Sequence, residues 1–209
     1  VIDKLNASKV VKKHSVQFDA IDGRSSQPFY FNTHMDNHPA SQTWQVVREV
    51  FDRMMLDNAA ERGADVRLGV SAKSLVTEPG GRVTGIVADD TDGNKITFNA
   101  PLTIDCSGRD GFAINRLGWR KRDPQLSKIS MWTYYKGGLR GEGVDEGATT
   151  VAYLPEKGWF WHIPLPDDVI SLGIVGSKEY LYRDGKDLPA IFEREIQVNR
   201  WIAERMAPA

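Results

Sequence analysis

A short aromatic string carries the most specific pattern in the sequence. Trp159 and Trp161 are followed by Ile163 and Pro164, which gives the pattern W-x-W-x-I-P. Residues spaced by two point to the same face of a β-strand, so both indoles are expected on one face. Pro164 cannot donate to a central ladder, which indicates a strand end or a sheet edge. A core strand with two large aromatic residues is the ordinary explanation for such a string.

Lys13 is the second candidate for chemistry. It follows Lys12 and precedes an alternating run that contains Val16 and Phe18. A lysine beside a strand is usually a solvated charge. If burial lowers its pKa, however, the amine becomes available as a nucleophile or as a directed hydrogen-bond donor. In an extended segment Lys12 points to the opposite face, so it ranks second.

Two further segments could contact a ligand. Asp105, Ser107 and Gly108 follow an apolar run, and a strand that ends in small residues lets backbone approach a ligand. A plain strand-to-loop turn explains this segment equally well. Arg48 lies four residues before Asp52, where a surface ion pair is the ordinary interpretation.

These segments together resemble flavin-dependent halogenases of the tryptophan halogenase-like family. The tryptophan string is similar to the family signature near the channel that joins flavin and substrate. The segment from Asp105 resembles D-A-S-G-R-x-G, with Cys106 in place of alanine, and the segment from Gln45 resembles V-x-R-x-x-F-D. Lys13 matches a family lysine five residues before a strand phenylalanine, here Phe18. The G-x-G-x-x-G element and a later G-D element are absent, so an interior fragment is expected.

The resemblance implies what the whole enzyme does. FADH2 from a separate flavin reductase, O2 and chloride or bromide would yield a hypohalous species. Lys13 would hold that species by a hydrogen bond or as a chloramine beside an electron-rich aromatic substrate of the phenol or pyrrole type, free or tethered to a carrier protein. The fragment alone is expected to be inactive. The implied FAD-binding residues are Arg48, Asp105, Ser107 and Gly108, and the implied channel residues are Trp159, Trp161, Ile163 and Pro164.

Two other functions stay open. One is a related FAD-dependent monooxygenase or geranylgeranyl-reductase-like oxidoreductase without halide chemistry, against which Trp159 and Trp161 argue. The other is a non-catalytic binding module with an aromatic-lined sheet. A metal site is not expected, because His34 and His38 have no evident third ligand. His162 falls on the strand face opposite Trp161 and is expected to be structural or solvated.

The elements that must position these residues alternate between helix and strand. The helix with the clearest apolar stripe is predicted over 43–62, with Gly63 as its left-handed C-terminal residue. Residues 1–20 are predicted to be extended and 188–206 to form a closing helix. Residues 66–104 are predicted to form a meander, whose first strand is 66–70 and whose returning strand is 102–104. Further strands are predicted over 127–139, 149–154, 158–165 and 169–175.

This order predicts a mixed α+β or α/β fold. The resemblance implies a partial glutathione-reductase-like FAD-binding fold with a β-meander, plus an antiparallel substrate-side sheet, both incomplete. Residues 41–118 are assigned to the FAD-binding domain. Residues 1–40 and 119–209 are assigned to the substrate-side sheet and its following helix.

Composition excludes several function classes. The chain has 209 residues with 27 basic and 28 acidic side chains, so no net field attracts nucleic acid. No apolar run approaches the roughly 18 residues of a membrane span. The single cysteine, Cys106, cannot form an internal disulfide, and a reduced, cytoplasmic setting is expected.

Overall fold

The computed structural model describes residues 1–33 and 38–209, so His34 lies outside the described residues. The chain divides into two compact units, Val1–Asn58 with Gln125–Ala209 and Ala59–Pro124. Within the described ranges, no helix has the length and apolarity needed to cross a membrane.

The helices are α1 Ile2–Ala7, α2 Arg48–Glu61, α3 Phe112–Arg116, α4 Lys178–Leu181, α5 Leu188–Val198 and α6 Arg200–Met206. The strands are β1 Val11–Lys13, β2 Ser15–Asp19, β3 Phe29–Tyr30, β4 Thr43–Gln45, β5 Ser71–Thr77, β6 Val83–Asp89, β7 Lys95–Asn99, β8 Lys128–Lys136, β9 Thr149–Leu154, β10 Gly158–Leu165 and β11 Val169–Ser177.

The first unit is built on a six-stranded sheet with the order β3-β2-β9-β10-β11-β8. The two hairpins that join β9, β10 and β11 confirm the strands predicted there. Strand β2 pairs in parallel with β9, and Phe18 lies opposite Val151. Parallel neighbours need a long connection between them. An early segment of the chain is therefore built into the sheet by contacts that are distant in sequence.

One face of this sheet forms the hydrophobic core. Phe160 of β10 and Leu172 and Ile174 of β11 are fully buried. They belong to one apolar cluster with Ile191 of α5 and Ile202 of α6. Because side chains alternate between the faces of a strand, every second residue of β10 is committed to this core.

The other face, here called the open face, is rich in exposed aromatic side chains. Trp132 is 55% exposed, Tyr134 59%, Tyr153 47% and Phe18 40%. Aromatic surface of this extent is unusual unless another molecule or segment covers it. The open face is therefore a candidate binding or packing surface.

The second unit is a three-stranded antiparallel meander, β5-β6-β7, followed by α3. Two of the predicted strands are wrong, because 66–70 and 102–104 have no strand conformation. A strand requires a paired neighbour, and neither segment has one among the described residues. Leu102 and Ile104 are accordingly 72% and 73% exposed.

The predicted helix over 43–62 begins later than expected. Thr43 to Gln45 form β4, which pairs with β1 so that Lys13 lies opposite Thr43. Buried Gln45 donates from Nε2 to the Gly147 carbonyl and to Thr149 Oγ1, and these bonds favour an extended backbone there. The helix ends at Glu61, and Gly63 has the predicted left-handed φ of 93°.

The predictions for the two ends of the chain also need correction. Residues 1–20 are not extended throughout, because Ile2–Ala7 form α1 and bury Leu5. The closing helix over 188–206 is divided at Asn199. Asn199 has an extended backbone and accepts a hydrogen bond from the Ile202 amide, which makes it the N-cap of α6. A capping side chain at this position starts a new helix and does not continue the old one.

Candidate functional site

The tryptophan pair lies on the open face of β10. Trp159, Trp161 and Ile163 are half-buried, whereas the intervening Phe160 and His162 are buried on the core face. This alternation is the geometry that a spacing of two predicts. The pair therefore stands among the exposed aromatic side chains and not in the hydrophobic core.

A glycine on the neighbouring strand makes room for Trp161. Gly173 lies opposite Trp161 in the β10–β11 register. A Cβ atom at Gly173 would collide with the six-membered ring of the Trp161 indole. The indole Nε1 donates to Ser171 Oγ at 3.4 Å, so the ring extends along β11 above the bare backbone. Sequence reasoning missed Gly173 and Ser171, although a glycine inside a strand is a recognised sign of a close approach.

Trp161 is the centre of a row of residues that crosses the sheet. Phe18, Val151, Trp161, Gly173 and Trp132 occupy successive register positions on β2, β9, β10, β11 and β8. Neighbouring strands are about 4.8 Å apart, so Phe18 and Trp161 are separated by about 10 Å across the sheet. The early segment and the tryptophan string thus contribute to one surface.

Pro164 lies near the C-terminal end of β10, opposite Ile170 of β11. The pairing of β10 with β9 ends at His162, opposite Thr150, so the missing N–H of Pro164 leaves no gap in that ladder. The expectation of a strand end is confirmed. The alternative of a sheet edge is wrong, because β10 lies between β9 and β11.

His162 is structural. Its ring is 2% exposed and contacts the Trp201 ring edge-to-face, with 5.2 Å between the ring centroids. Burial lowers the pKa of His162 to about 4, and the charges of Arg205 and Arg140 act in the same direction. Within the described part of the chain its Nε2 atom has no hydrogen-bond partner.

Lys13 is half-buried at the end of β1, whereas Lys12 is exposed. Its ammonium lies 5.8 Å from the centroid of the Phe31 ring. Burial lowers the pKa of Lys13, which moves the amine toward the neutral form. The side chain is therefore not a freely solvated charge, although its catalytic role stays a prediction.

The segment at Asp105 forms a locally closed loop in the second unit. The Asp105 carboxylate accepts from the Ser107 amide at 2.9 Å and from the Ala113 amide at 2.7 Å. Ser107 Oγ accepts from the Phe112 amide at 2.8 Å. Hydrogen bonding from the Ser107 side chain, and then from the Ala113 and Ser107 amides, lowers the pKa of Asp105. Asp105 thus organises the loop with both of its oxygens, and flavin contact by Asp105 stays a prediction.

An apolar groove of about 680 Å³ adjoins this loop within the second unit. It is lined by Leu75 and Ile86 of the meander and by Ile104, Phe112 and Trp119. Trp119 is 67% exposed. Residues of the loop thus line the same groove as a large apolar surface. Such a surface is suited to a flat ligand or to further polypeptide.

Arg48 makes a bidentate ion pair with Asp52, with two N–O distances of 3.0 Å. Both side chains are largely exposed, at 77% and 50%. This is the surface pair that a spacing of four residues favours. Flavin contact by Arg48 stays a prediction.

The comparison with known families identifies the chain. The family model described as tryptophan halogenase matches residues 5–199. The chain belongs to the tryptophan halogenase family. It is 29% identical over 185 residues to the flavin-dependent halogenase armH2 of Armillaria mellea, and this alignment covers 82% of this chain and 36% of that protein. It is 31% identical over 149 residues to a 1H-pyrrole-2-carbonyl-[peptidyl-carrier protein] brominase of Pseudoalteromonas luteoviolacea, and this alignment covers 69% of this chain and 36% of that protein.

A solved structure supports the same family and the fold. The myxobacterial chondrochloren halogenase CndH superimposes with a TM-score of 0.82 at 26% identity, covering 99% of this chain and 46% of that one. The mixed α/β fold is therefore that of FAD-dependent halogenases. The chain spans about a third of the length of these curated relatives.

The described residues fit the FAD that this family uses. Gly108 has a φ of 60°, and no atom lies within 4 Å of the position that a Cβ would take, so its backbone is open to a ligand. The Ser107 hydroxyl accepts from the Phe112 amide and also interacts with the Asp105 carboxylate, so it helps to order the loop that carries Gly108. Arg48 presents a largely exposed guanidinium, the group that binds phosphate oxygens, and a phosphate there would compete with Asp52. Gly108 and Arg48 thus each offer a group that a dinucleotide can use, an open backbone at Gly108 and a guanidinium at Arg48.

Proposed function

We propose that the whole protein is an FADH2-dependent halogenase that chlorinates or brominates an electron-rich aromatic substrate. The family match over residues 5–199 supports the reaction class. The observation that carries the mechanism is the half-buried Lys13 with its lowered pKa. We further propose that residues 41–118 belong to the FAD-binding domain, and that 1–40 and 119–209 belong to the substrate side.

Reduced FAD and O2 would supply the oxidising power that converts a halide to hypohalous acid. Lys13 Nζ then donates a hydrogen bond to the oxygen of that acid. Burial makes the ammonium a stronger donor than a solvated lysine, because it destabilises the charged form. The bond from oxygen to halogen breaks as the carbon–halogen bond forms, the oxygen leaves as water with the proton from Nζ, and the ring loses its proton.

The open face would confine this chemistry. Trp159, Trp161 and Phe18 present aromatic surface that can exclude water and pack against an aromatic ring. Exclusion of water matters because hypohalous acid is diffusible and reacts with many groups. We propose a phenol- or pyrrole-type substrate, and the relationship to a brominase for a carrier-bound pyrrole supports a carrier-tethered form.

The proposed enzyme needs bound FAD, a source of reduced flavin and a reducing compartment. We propose Arg48, Asp105, Ser107 and Gly108 as FAD contacts, and a separate flavin reductase would provide the FAD in reduced form. The exposed thiol of Cys106 favours a reduced, cytoplasmic setting. The 209 residues alone are expected to be inactive, because they span about a third of the length of the curated relatives.

Reconstitution of the whole protein with a flavin reductase, O2 and either halide tests this function. The expected product carries a chlorine or bromine, identified by its isotope pattern, and forms only when halide is present. A hydroxylated or reduced product without halogen would favour a related oxidoreductase. Failure of the whole protein to bind FAD would favour a non-catalytic binding module.

Lys13→Ala tests the mechanism, with Lys12→Ala as the matched control. Lys13→Ala should abolish halogenation, a loss of about a thousandfold or more, while hydrogen peroxide release continues. Lys12→Ala should retain halogenation, because Lys12 is exposed on the other side of β1. Retained chlorination by Lys13→Ala would remove Lys13 from the mechanism.

A further inference from the structure

Asp145 connects a glycine-rich loop to the strands around Lys13. It ends a short helical turn, Gly143–Asp145. Its carboxylate accepts from Ser15 Oγ at 2.6 Å and from Tyr30 Oη at 2.7 Å. Ser15 and Tyr30 are directly opposite each other in the β2–β3 register. One carboxylate therefore bridges a cross-strand pair.

The two hydroxyl donors belong to segments that adjoin Lys13. Ser15 follows Lys13 by two residues and is fully buried. Tyr30 precedes Phe31, whose ring lies 5.8 Å from the Lys13 ammonium. The Phe31 amide also donates to the His14 carbonyl at 3.0 Å. Displacement of Asp145 would thus loosen the start of β2, two residues after Lys13, and the segment whose Phe31 ring packs against the Lys13 ammonium.

The loop that holds Asp145 is itself fixed in place. The Gly147 carbonyl accepts from Gln45 Nε2 at 3.0 Å. A side chain at Gly147 would collide with the Lys12 carbonyl oxygen, and one at Gly141 with the Asp145 carbonyl oxygen. Such close backbone contact leaves the loop little freedom. The loop therefore holds the Asp145 carboxylate in a fixed position against Ser15 and Tyr30.

Two arginine side chains and His162 share a small cavity with Asp145. Arg140, Arg205 and His162 line a small cavity of about 30 Å³ together with Asp145. An ionised carboxylate only accepts hydrogen bonds, and both donors here are hydroxyl groups. The hydrogen bond to Asp145 raises the pKa of Tyr30, which keeps the phenol protonated as a donor.

We propose that Asp145 is a positioning residue that fixes Lys13 for halogen transfer through Ser15 and Tyr30. This inference rests on the proposed function. A displacement of about 1 Å can cost a hundredfold in rate, so a residue that contacts no substrate can still control transfer. Asp145 would set how much of the hypohalous acid reaches the aromatic ring, and not how much is made.

The test removes the two hydroxyl groups and keeps the carboxylate. The Ser15→Ala/Tyr30→Phe variant of the whole protein retains the charge of Asp145, so any effect on Lys13 is not a loss of that charge. The matched control is Tyr180→Phe, because Tyr180 Oη donates to Glu195 at the same distance of 2.7 Å in the same unit. If the double variant fails to fold, Tyr30→Phe alone carries the test.

Two readouts separate positioning from general stability. The first is the ratio of halogenated product to hydrogen peroxide, expected to fall about tenfold in the double variant and to be unchanged in Tyr180→Phe. The second needs no flavin: competitive acetylation, measured by mass spectrometry, compares the reactivity of Lys13 with that of Lys12. This ratio should change at least threefold in the double variant only.

Each outcome bears on one of the two proposals. A wild-type protein that makes no halogenated product overturns the proposed function, whereas the acetylation ratio still tests the connection to Lys13. An unchanged acetylation ratio in the double variant overturns the positioning role. An equal change in Tyr180→Phe also overturns it, because the effect would then be a general loss of stability.

Discussion

The loop at Asp105 and the strands around Lys13 are stabilised over very different distances along the chain. The three hydrogen bonds that close the loop join residues two, five and eight positions apart. The bonds that hold Ser15 and Tyr30 to Asp145 join residues 130 and 115 positions apart. Local bonds form with little loop-closure cost, whereas distant ones require the whole unit to be folded. The loop is therefore locally encoded, and the Lys13 region is a product of tertiary structure.

This difference has a consequence for mutational analysis. A substitution in the loop should act on the loop alone, because its hydrogen-bond partners are its own neighbours. A substitution in the six-stranded sheet or in the loop that holds Asp145 should change the position of Lys13 or Trp161, although the substituted residue is remote from them in sequence. Three measurements test this contrast.

Acid should weaken the first unit through His162. An unfolded imidazole binds a proton below its ordinary pKa of 6.5, whereas the buried ring does so only below about 4. Stability from the neutral ring is complete above pH 6.5 and is lost as the pH falls from 6.5 to 4. The loss amounts to about 3 kcal/mol.

Urea unfolding of the whole protein at pH 7 and pH 4 measures this effect, with His162→Gln as the reference. The free energy of unfolding of the wild type should fall by about 3 kcal/mol more than that of the variant. Equal losses in the two proteins would contradict the prediction and place the acid sensitivity elsewhere in the chain.

Gly173→Ala should displace the Trp161 indole from the opposite strand. The new Cβ would collide with the ring, and overpacking of this kind costs about 1–3 kcal/mol. Gly176→Ala on the same strand is the control, because its Cβ would approach the buried Leu181 side chain at 3.1–3.4 Å and not an indole.

The free energy of unfolding and the ratio of halogenated product to hydrogen peroxide both report on Gly173→Ala. Both should fall in Gly173→Ala, and the product ratio should be unchanged in Gly176→Ala. A Gly173→Ala variant with wild-type values of both would show that the indole has room to move.

Asp105→Asn should give the smallest and most local effect. Loss of the charged acceptor weakens the bonds from the Ser107 and Ala113 amides. Hydrogen exchange at Ala113 should accelerate about fivefold, whereas exchange at Leu172 in the core should not change. Faster exchange at both amides would mean that the loop is coupled to the rest of the fold.

The sequence predicts local features well and distant ones poorly. Alternation places Trp159 and Trp161 on one face, and Gly63 ends its helix as expected. The predicted strand at Leu102–Ile104 is wrong because strand formation depends on a neighbour, which no local pattern reveals. The sequence around Asp145 indicates only a glycine-rich, acidic loop, since nothing near it identifies Ser15 or Tyr30 as its partners.

The parallel pairing of β2 with β9 also bears on synthesis of the protein. At roughly 5–20 residues per second, a ribosome needs on the order of ten seconds to travel from the Ser15 codon to the Asp145 codon, which are 130 positions apart. During that interval Phe18 of β2 has been synthesised without β9, the strand that it pairs with. The nascent chain should therefore be a substrate for ribosome-associated chaperones until β9 and β10 appear.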